Sequence, residues 1–219
     1  MEELKIEDRN ILAYESPKKL LKMFAWPAII SMLANSLYNI IDQIFIGQAV
    51  GYLGNAATTI AFPIVTVVLA LGTLFGVGGS AFAAIKLGEG RKDVAEKVLN
   101  TVTTMAFIIG IIMMIAGLIY LEPILKIFGA TDQTMQYSKE FGGIMIAIIP
   151  ITMLIIGLAN LARADGNPRL AMRSLVSGVV INLLLAPFFI FQFHWGVWGA
   201  ALATACAQIF SLAVLIWYF

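Results

Sequence analysis

The sequence has one cysteine, Cys206, and one histidine, His194, in 219 residues. A single cysteine excludes an intrachain disulfide framework and every multi-cysteine metal site. The lone histidine stands beside Trp195 with no nucleophile in a context that would pair with it, so no serine or cysteine triad is present. There is no phosphate-binding glycine loop and no cluster of metal ligands. The chain is therefore expected to be no enzyme and to carry no cofactor or resident metal. Charge is scarce as well. Asp, Glu, Lys and Arg together make 12% of the residues and the net charge is +1, against about a quarter charged in a soluble domain. No basic face with interleaved aromatics is visible, which argues against a nucleic-acid partner. The first twenty residues are charged and lack an apolar core segment, so no cleavable signal peptide is expected.

What fills the chain is apolar. Hydrophobic residues make 60% of it and the mean hydropathy is +0.91, with runs long enough to cross a bilayer as helices. The fold class this implies is all-α, a polytopic membrane protein of six transmembrane helices in one lobe. A polar leader is expected over residues 1–16. Ser16-Pro17 reads as a helix N-cap followed by proline at the first helical position, where a missing N–H costs nothing. Spans are expected at about 17–47, 59–84, 98–121, 141–161, 170–191 and 199–219, forming a lobe over 17–219. Between them the reading places an uncharged, glycine-rich connection at 48–58, a charged loop with a short surface helix at 86–97, and a longer connection at 122–140 that dips into the interface. A turn follows at Gly166-Asn167-Pro168, then a tight aromatic turn at 192–199. Gly72, Gly76, Gly78 and Gly79 in the second span point to close helix packing, with a kinkable gate as the sharper alternative.

Orientation follows from the basic residues. The leader side carries Lys5, Arg9, Lys18, Lys19, Lys22, Lys86, Arg91, Lys92, Lys97, Arg163, Arg169 and Arg173, whereas the other side has only Lys126 and Lys139. Both termini are expected to be cytoplasmic, in a cell (inner) membrane.

The stretch Ser31–Gly47, SMLANSLYNIIDQIFIG, is the most informative. Asn35, Tyr38, Asn39 and Asp42 fall at i, i+3, i+4 and i+7 and so share one side of a helix. Leu33, Leu37, Ile40, Ile41 and Ile44 form the other. A carboxylate in hydrocarbon costs roughly 2.5–3.5 kcal/mol even on the lenient insertion scale. Asp42 should therefore face a cavity or a partner, and the polarity shared with Asn35, Tyr38 and Asn39 reaches deeper than a helix-end acid needs. Asn182 in the fifth span, and Thr204 and Gln208 in the sixth, are the next candidates. Interhelical hydrogen bonding alone is the simpler account of these three.

Taken together, LANSLYNIIDQIFIGQAVGYLGNAATTIAFP, the GVGGS end of the second span, GEGRKDVAEK, ARADGNPRLAM, INLLLAPFFIF and WGAALATACAQ resemble the N-terminal half of a MATE (multidrug and toxic compound extrusion) transporter. The resemblance covers nearly the whole chain from Ser16 and rests on the order and spacing of these segments. It implies secondary antiport: cationic, amphipathic compounds leave in exchange for H+ or Na+ through a cavity between two six-helix lobes. In the archaeal and DinF-like branch it further implies an acid on the first helix, an Asn and an Asp one turn apart on the fifth, and a Thr on the sixth. Asp42, Asn182 and Thr204 match three of these positions as ion- or proton-coupling residues, with Na+ at Asp42 as one form of coupling. Asn35, Tyr38, Asn39 and Gln208 are the expected cavity lining.

Two departures stand out. Where the branch has its aspartate, this chain has Ala186, just before Pro187, so coupling through two carboxylates does not carry over. The family also has twelve helices against six here. An even number of spans puts a second copy in the same orientation, related by an axis along the membrane normal. The expected assembly is a homodimer in membrane lipid, joined through the cavity face and exporting a small-molecule cationic substrate. The alternatives are an inert or partner-dependent lobe and a lipid-precursor flippase of the same superfamily. A flippase should carry Arg or Lys in its cavity to meet phosphate, and none is expected within these spans.

Overall fold

The computed structural model describes residues 16–218. Apart from Ser16, the expected leader lies outside the described residues, as does Phe219. Among the described residues all regular structure is helical: α1 (Pro17–Val50), α2 (Tyr52–Gly88), α3 (Lys92–Ile119), α4 (Leu121–Ile127), α5 (Met135–Ala147), α6 (Ile149–Ala164), α7 (Pro168–Pro187) and α8 (Gly196–Ile216). Five of these helices, α7 being counted with the turn that follows it, are long and apolar enough to cross a membrane. The α5–α6 pair, bent by 49°, passes the same test when taken together, which gives up to six spans. The chain is a multi-pass membrane protein.

Several boundaries differ from expectation, each for a local reason. The connection expected at 48–58 is reduced to Gly51, whose φ of 79° allows a reversal that an L side chain rarely makes. Its N–H closes the last turn of α1 on the Gly47 carbonyl. The charged loop at 86–97 contains no separate surface helix. Lys86 is still in α2, and Asp93 lies in the first turn of α3, where its charge suits the helix dipole. The fourth span is not one continuous helix. It breaks at Ile148, and Pro150 sits in the first turn of α6, where no N–H is needed. The fifth span ends as a π-helical turn, Phe188–Gln192, just after Pro187. Ser16 occupies the N-cap position with extended backbone but makes no side-chain cap bond. Its carbonyl accepts from the Lys19 and Leu20 N–H groups instead.

Lipid is as apolar as leucine, so close fit and hydrogen bonds must hold helices together. Close fit is seen in one half of the lobe, where α2, α3 and α6 meet. A Cβ at Gly110 of α3 would lie 2.6 Å from the Pro150 Cα, and one at Gly72 of α2 would lie 2.8 Å from Ile156 of α6. Val68, Ala106, Ile146, Ile149 and Met153 form the core there. Of the glycines closing α2, Gly76 and Gly79 pack tightly whereas Gly78 faces open space. The other half joins α1, α7 and α8 around Ile46, Ala186, Ile190, Val197, Ala200 and Ala203. Beyond it the aromatic turn is shorter than expected, because α8 begins at Gly196, three residues before the expected start of the sixth span. Phe193 stacks on Trp195, and Trp195 lies edge-on to Trp198.

Candidate functional site

The site lies in the α1–α7–α8 half. Asp42 is buried on α1, one turn before the fully buried Ile46, with 6% of its surface exposed. Its Oδ1 has no hydrogen-bond partner. One turn earlier on the same helix, the Tyr38 hydroxyl lies 3.0 Å from the Thr204 hydroxyl of α8. Asn182 of α7, also buried, donates its amide N–H to the same Thr204 oxygen at 3.0 Å. Thr204 in turn donates to the Ala200 carbonyl at 3.1 Å. A hydroxyl has one hydrogen and two lone pairs. With its hydrogen committed to Ala200, Thr204 accepts from both Tyr38 and Asn182, and its oxygen is saturated. Asn182 Oδ1 is left without a partner. Two buried acceptor oxygens, one a carboxylate's, thus lack donors in the layer where α1, α7 and α8 meet. Buried polar atoms are nearly always satisfied, so these oxygens call for an explanation, as do Asn55 Oδ1 and Ser138 Oγ elsewhere in the lobe.

Tyr38, Asn182 and Thr204 are joined by hydrogen bonds, and Asp42 lies one turn along α1 from Tyr38. The remaining cavity candidates do not join them. Asn35 and Asn39 are exposed, and the Asn39 amide donates back to the Asn35 carbonyl at 2.7 Å. Gln208 shares a side of α8 with Thr204, yet its Oε1 accepts from Thr152 of α6 at 2.5 Å, away from Tyr38 and Asn182. Ala186 is buried among aliphatic side chains with 1% exposed, so the position where the resemblance implies an aspartate is a packing site in this chain.

Some polar contacts are not foreseen by the residue pattern. Gln43 of α1 donates to Thr58 of α2 at 3.1 Å. Gln43 and Asn39 then line an open groove with Gly47 and Asn55. Ser174 of α7 and Ser211 of α8 each donate to the other's carbonyl, at 2.8 and 2.9 Å. Serine and threonine in a span can satisfy themselves on the preceding turn, so their spacing carries little signal. Gln43 does carry one, being a long amide beside Asp42.

The MatE family profile matches residues 27–188, well over half of the chain. The chain belongs to the MatE family. Among its relatives, the multidrug export protein MepA of Staphylococcus haemolyticus is 30% identical over 98% of this chain and 48% of its own length. The solved structure of the MATE multidrug transporter DinF-BH superposes with a TM-score of 0.91 at 34% identity, covering 97% of this chain and 47% of that one. A MOP superfamily transporter from Pyrococcus furiosus gives 0.89 at 28% identity, over 95% and 46%. The chain thus spans about half the length of the curated relatives it matches. These relatives are transporters rather than enzymes, and the part of the MATE fold present here is a six-helix lobe.

Proposed function

We propose that this MATE lobe works as half of an ion-coupled exporter of cationic amphipathic compounds, with a second copy supplying the other half. The observation that carries the reading is Asp42, a carboxylate buried in a span with an oxygen that nothing donates to. A bare carboxylate resists closure of the surrounding helices, because closure removes it from water. A bound proton or sodium ion removes that cost, and so does a cationic substrate. The two compete for one charge, which couples their fluxes. Thr204 has no lone pair to spare, so an ion in this conformation can draw only on Asp42 and the Asn182 carbonyl oxygen. A proton needs one acceptor and fits more readily than Na+, which would require Tyr38 or Asn182 to release Thr204.

Asn35, Asn39 and Gln43 support a cavity face. They are exposed on α1 within the span, where contact with hydrocarbon would be costly. A water-filled space between two lobes removes that cost. Six spans return the chain to its starting side, so a second lobe inserts in the same orientation. The excess of basic residues on one side supports a cytoplasmic position for both ends of the lobe. Ala186 favours a second reading, a lobe that depends on a different partner for its coupling acid.

The test is efflux of a fluorescent lipophilic cation from proteoliposomes under an imposed pH or Na+ gradient, beside the chain's mass in nanodiscs. A two-chain mass with gradient-driven efflux that Asp42→Asn abolishes supports the proposal. Undiminished efflux by Asp42→Asn removes Asp42 from the mechanism, and a one-chain mass removes the homodimer.

A further inference from the structure

A second groove runs between the first turns of α1 and α7, at the opposite end of α1 from Asp42. Its rim carries Lys19, Lys22, Arg169 and Arg173, and Met23 and Trp26 contribute to its apolar wall. Lys19 and Lys22 are at i, i+3, and Arg169 and Arg173 at i, i+4, so each pair presents together on its helix. All four are exposed, and Trp26 is 63% exposed. Lys22, Arg169 and Arg173 form no ion pair among the described residues. These three cations around one groove repel one another, and that repulsion calls for an anion.

The order of side chains along α1 says what kind of anion. The cations Lys19 and Lys22 come first, then Met23 and Trp26, then Ile30, also on the groove wall. From Lys19 to Ile30 the helix rises about 16 Å. A phospholipid runs through the same sequence of environments in the same direction: a charged headgroup, an interface that favours tryptophan, and an acyl chain. A soluble phosphate ester would meet the rim and leave Trp26 and Ile30 uncovered. We propose that this groove is a binding site for a phospholipid with an anionic headgroup. Its phosphate sits among Lys19, Lys22, Arg169 and Arg173, and one acyl chain lies along Trp26 and Ile30. Basic grooves between spans on the side rich in Lys and Arg suit the anionic lipids of that leaflet. The site is independent of ion coupling at Asp42.

The experiment is native mass spectrometry of the full chain released from micelles containing equal amounts of phosphatidylglycerol and phosphatidylcholine with matched acyl chains. The wild-type chain should retain phosphatidylglycerol preferentially. Lys22→Gln with Arg173→Gln should weaken that preference by roughly tenfold or more, taking the usual contribution of each basic residue near an anionic surface. The charge-preserving pair Lys22→Arg with Arg173→Lys should keep it. Lys126→Gln with Lys139→Gln, at the other end of the lobe, should leave it unchanged. Millimolar glycerol 3-phosphate should fail to displace the lipid. Equal retention of phosphatidylcholine, an undiminished preference in the double glutamine variant, or displacement by glycerol 3-phosphate would each overturn the proposal. Should the double variant lose monodispersity, Arg173→Gln alone replaces it, with a several-fold loss expected.

Discussion

The two halves of the lobe combine close fit and hydrogen bonding in different proportions. Where α2, α3 and α6 meet, glycines let backbones and branched side chains approach to distances that leave no room for a methyl group. Such an interface has one good arrangement and loses contact energy with any displacement. Where α1, α7 and α8 meet, close fit recurs at Gly178, where a methyl group would clash with Ser211. The core there is nevertheless lined by alanine and aliphatic side chains, and hydrogen bonds accepted by Thr204 tie the three helices together. Two buried oxygens there stay unsatisfied. A part that, under the proposed function, closes around an ion and releases it cannot be locked by fit alone. The contrast separates a rigid frame from a responsive face, and each change below is aimed at one side of it.

The largest effect is expected at Asp42. Asp42→Asn keeps the size of the side chain and removes its charge, so folding should survive while gradient-driven efflux falls to the level of empty liposomes. If efflux is lost but the variant also unfolds at a much lower temperature in micelles, Asp42 belongs to the frame and the contrast fails.

The frame itself is tested by glycine. Gly110→Ala forces a methyl group against the Pro150 backbone and should cost about 1–3 kcal/mol, as overpacking does. Gly78→Ala, with nothing within 4 Å, should be neutral or stabilise by up to ~1 kcal/mol through helix propensity. Equal thermal shifts for the two variants would mean that close fit does not hold this half together. On the responsive side, Thr204→Val removes the acceptor shared by Tyr38 and Asn182. The expected loss is smaller, about 0.6–1.7 kcal/mol, because polar groups in a membrane find other partners when unfolded. A loss larger than that of Gly110→Ala would reverse the ranking of the two halves.

The residue pattern foretells the class of fold and names Tyr38, Asn182 and Thr204. The structure joins these three by interhelical hydrogen bonds, which were the simpler account of Asn182 and Thr204. The reasons for the misses are physical. Asn35, Tyr38, Asn39 and Asp42 spread over about 100° of the helix, and the boundary of burial runs through that arc. Tyr38 and Asp42 fall on the side that meets α7 and α8, whereas Asn35 and Asn39 fall outside it. Periodicity locates an arc but not the edge of a neighbour. The same rule groups Gln208 with Thr204, and a partner on α6, Thr152, draws it elsewhere. The connection before α2 reads as a loop because glycine and polar residues cluster there, but one glycine at positive φ is enough to turn the chain. Ala186 is legible as a departure from a known pattern. Its neighbours Ile46 and Ile190, which make the position apolar, come from another helix and a later turn and cannot be seen in advance.

The smallest effect belongs to neither half. Glu122 of α4 takes a 2.6 Å ion pair from Lys139 of α5 and a 2.9 Å pair from Lys126 on its own helix. These hydrogen bonds, Lys139 first, pull its carboxyl from an ordinary 4.5 down to about 2. A carboxyl more acidic in the folded state contributes stability above its unfolded value, and that stability is lost as pH falls through the folded value. The contribution should therefore be complete above about pH 4.5 and fade toward pH 2. The group is exposed, so solvent and salt screen it and the effect is modest. Comparing the melting of the wild-type chain with Glu122→Gln in micelles at pH 6 and pH 3 isolates it. The wild-type chain should melt slightly higher at pH 6, and the gap should narrow at pH 3 and in high salt. A gap that holds across both conditions would mean Glu122 acts through packing of α4 against α5 and not through its charge. The α4 segment would then belong with the fitted frame, and the division between fit and polarity would extend to the outer rim of the lobe.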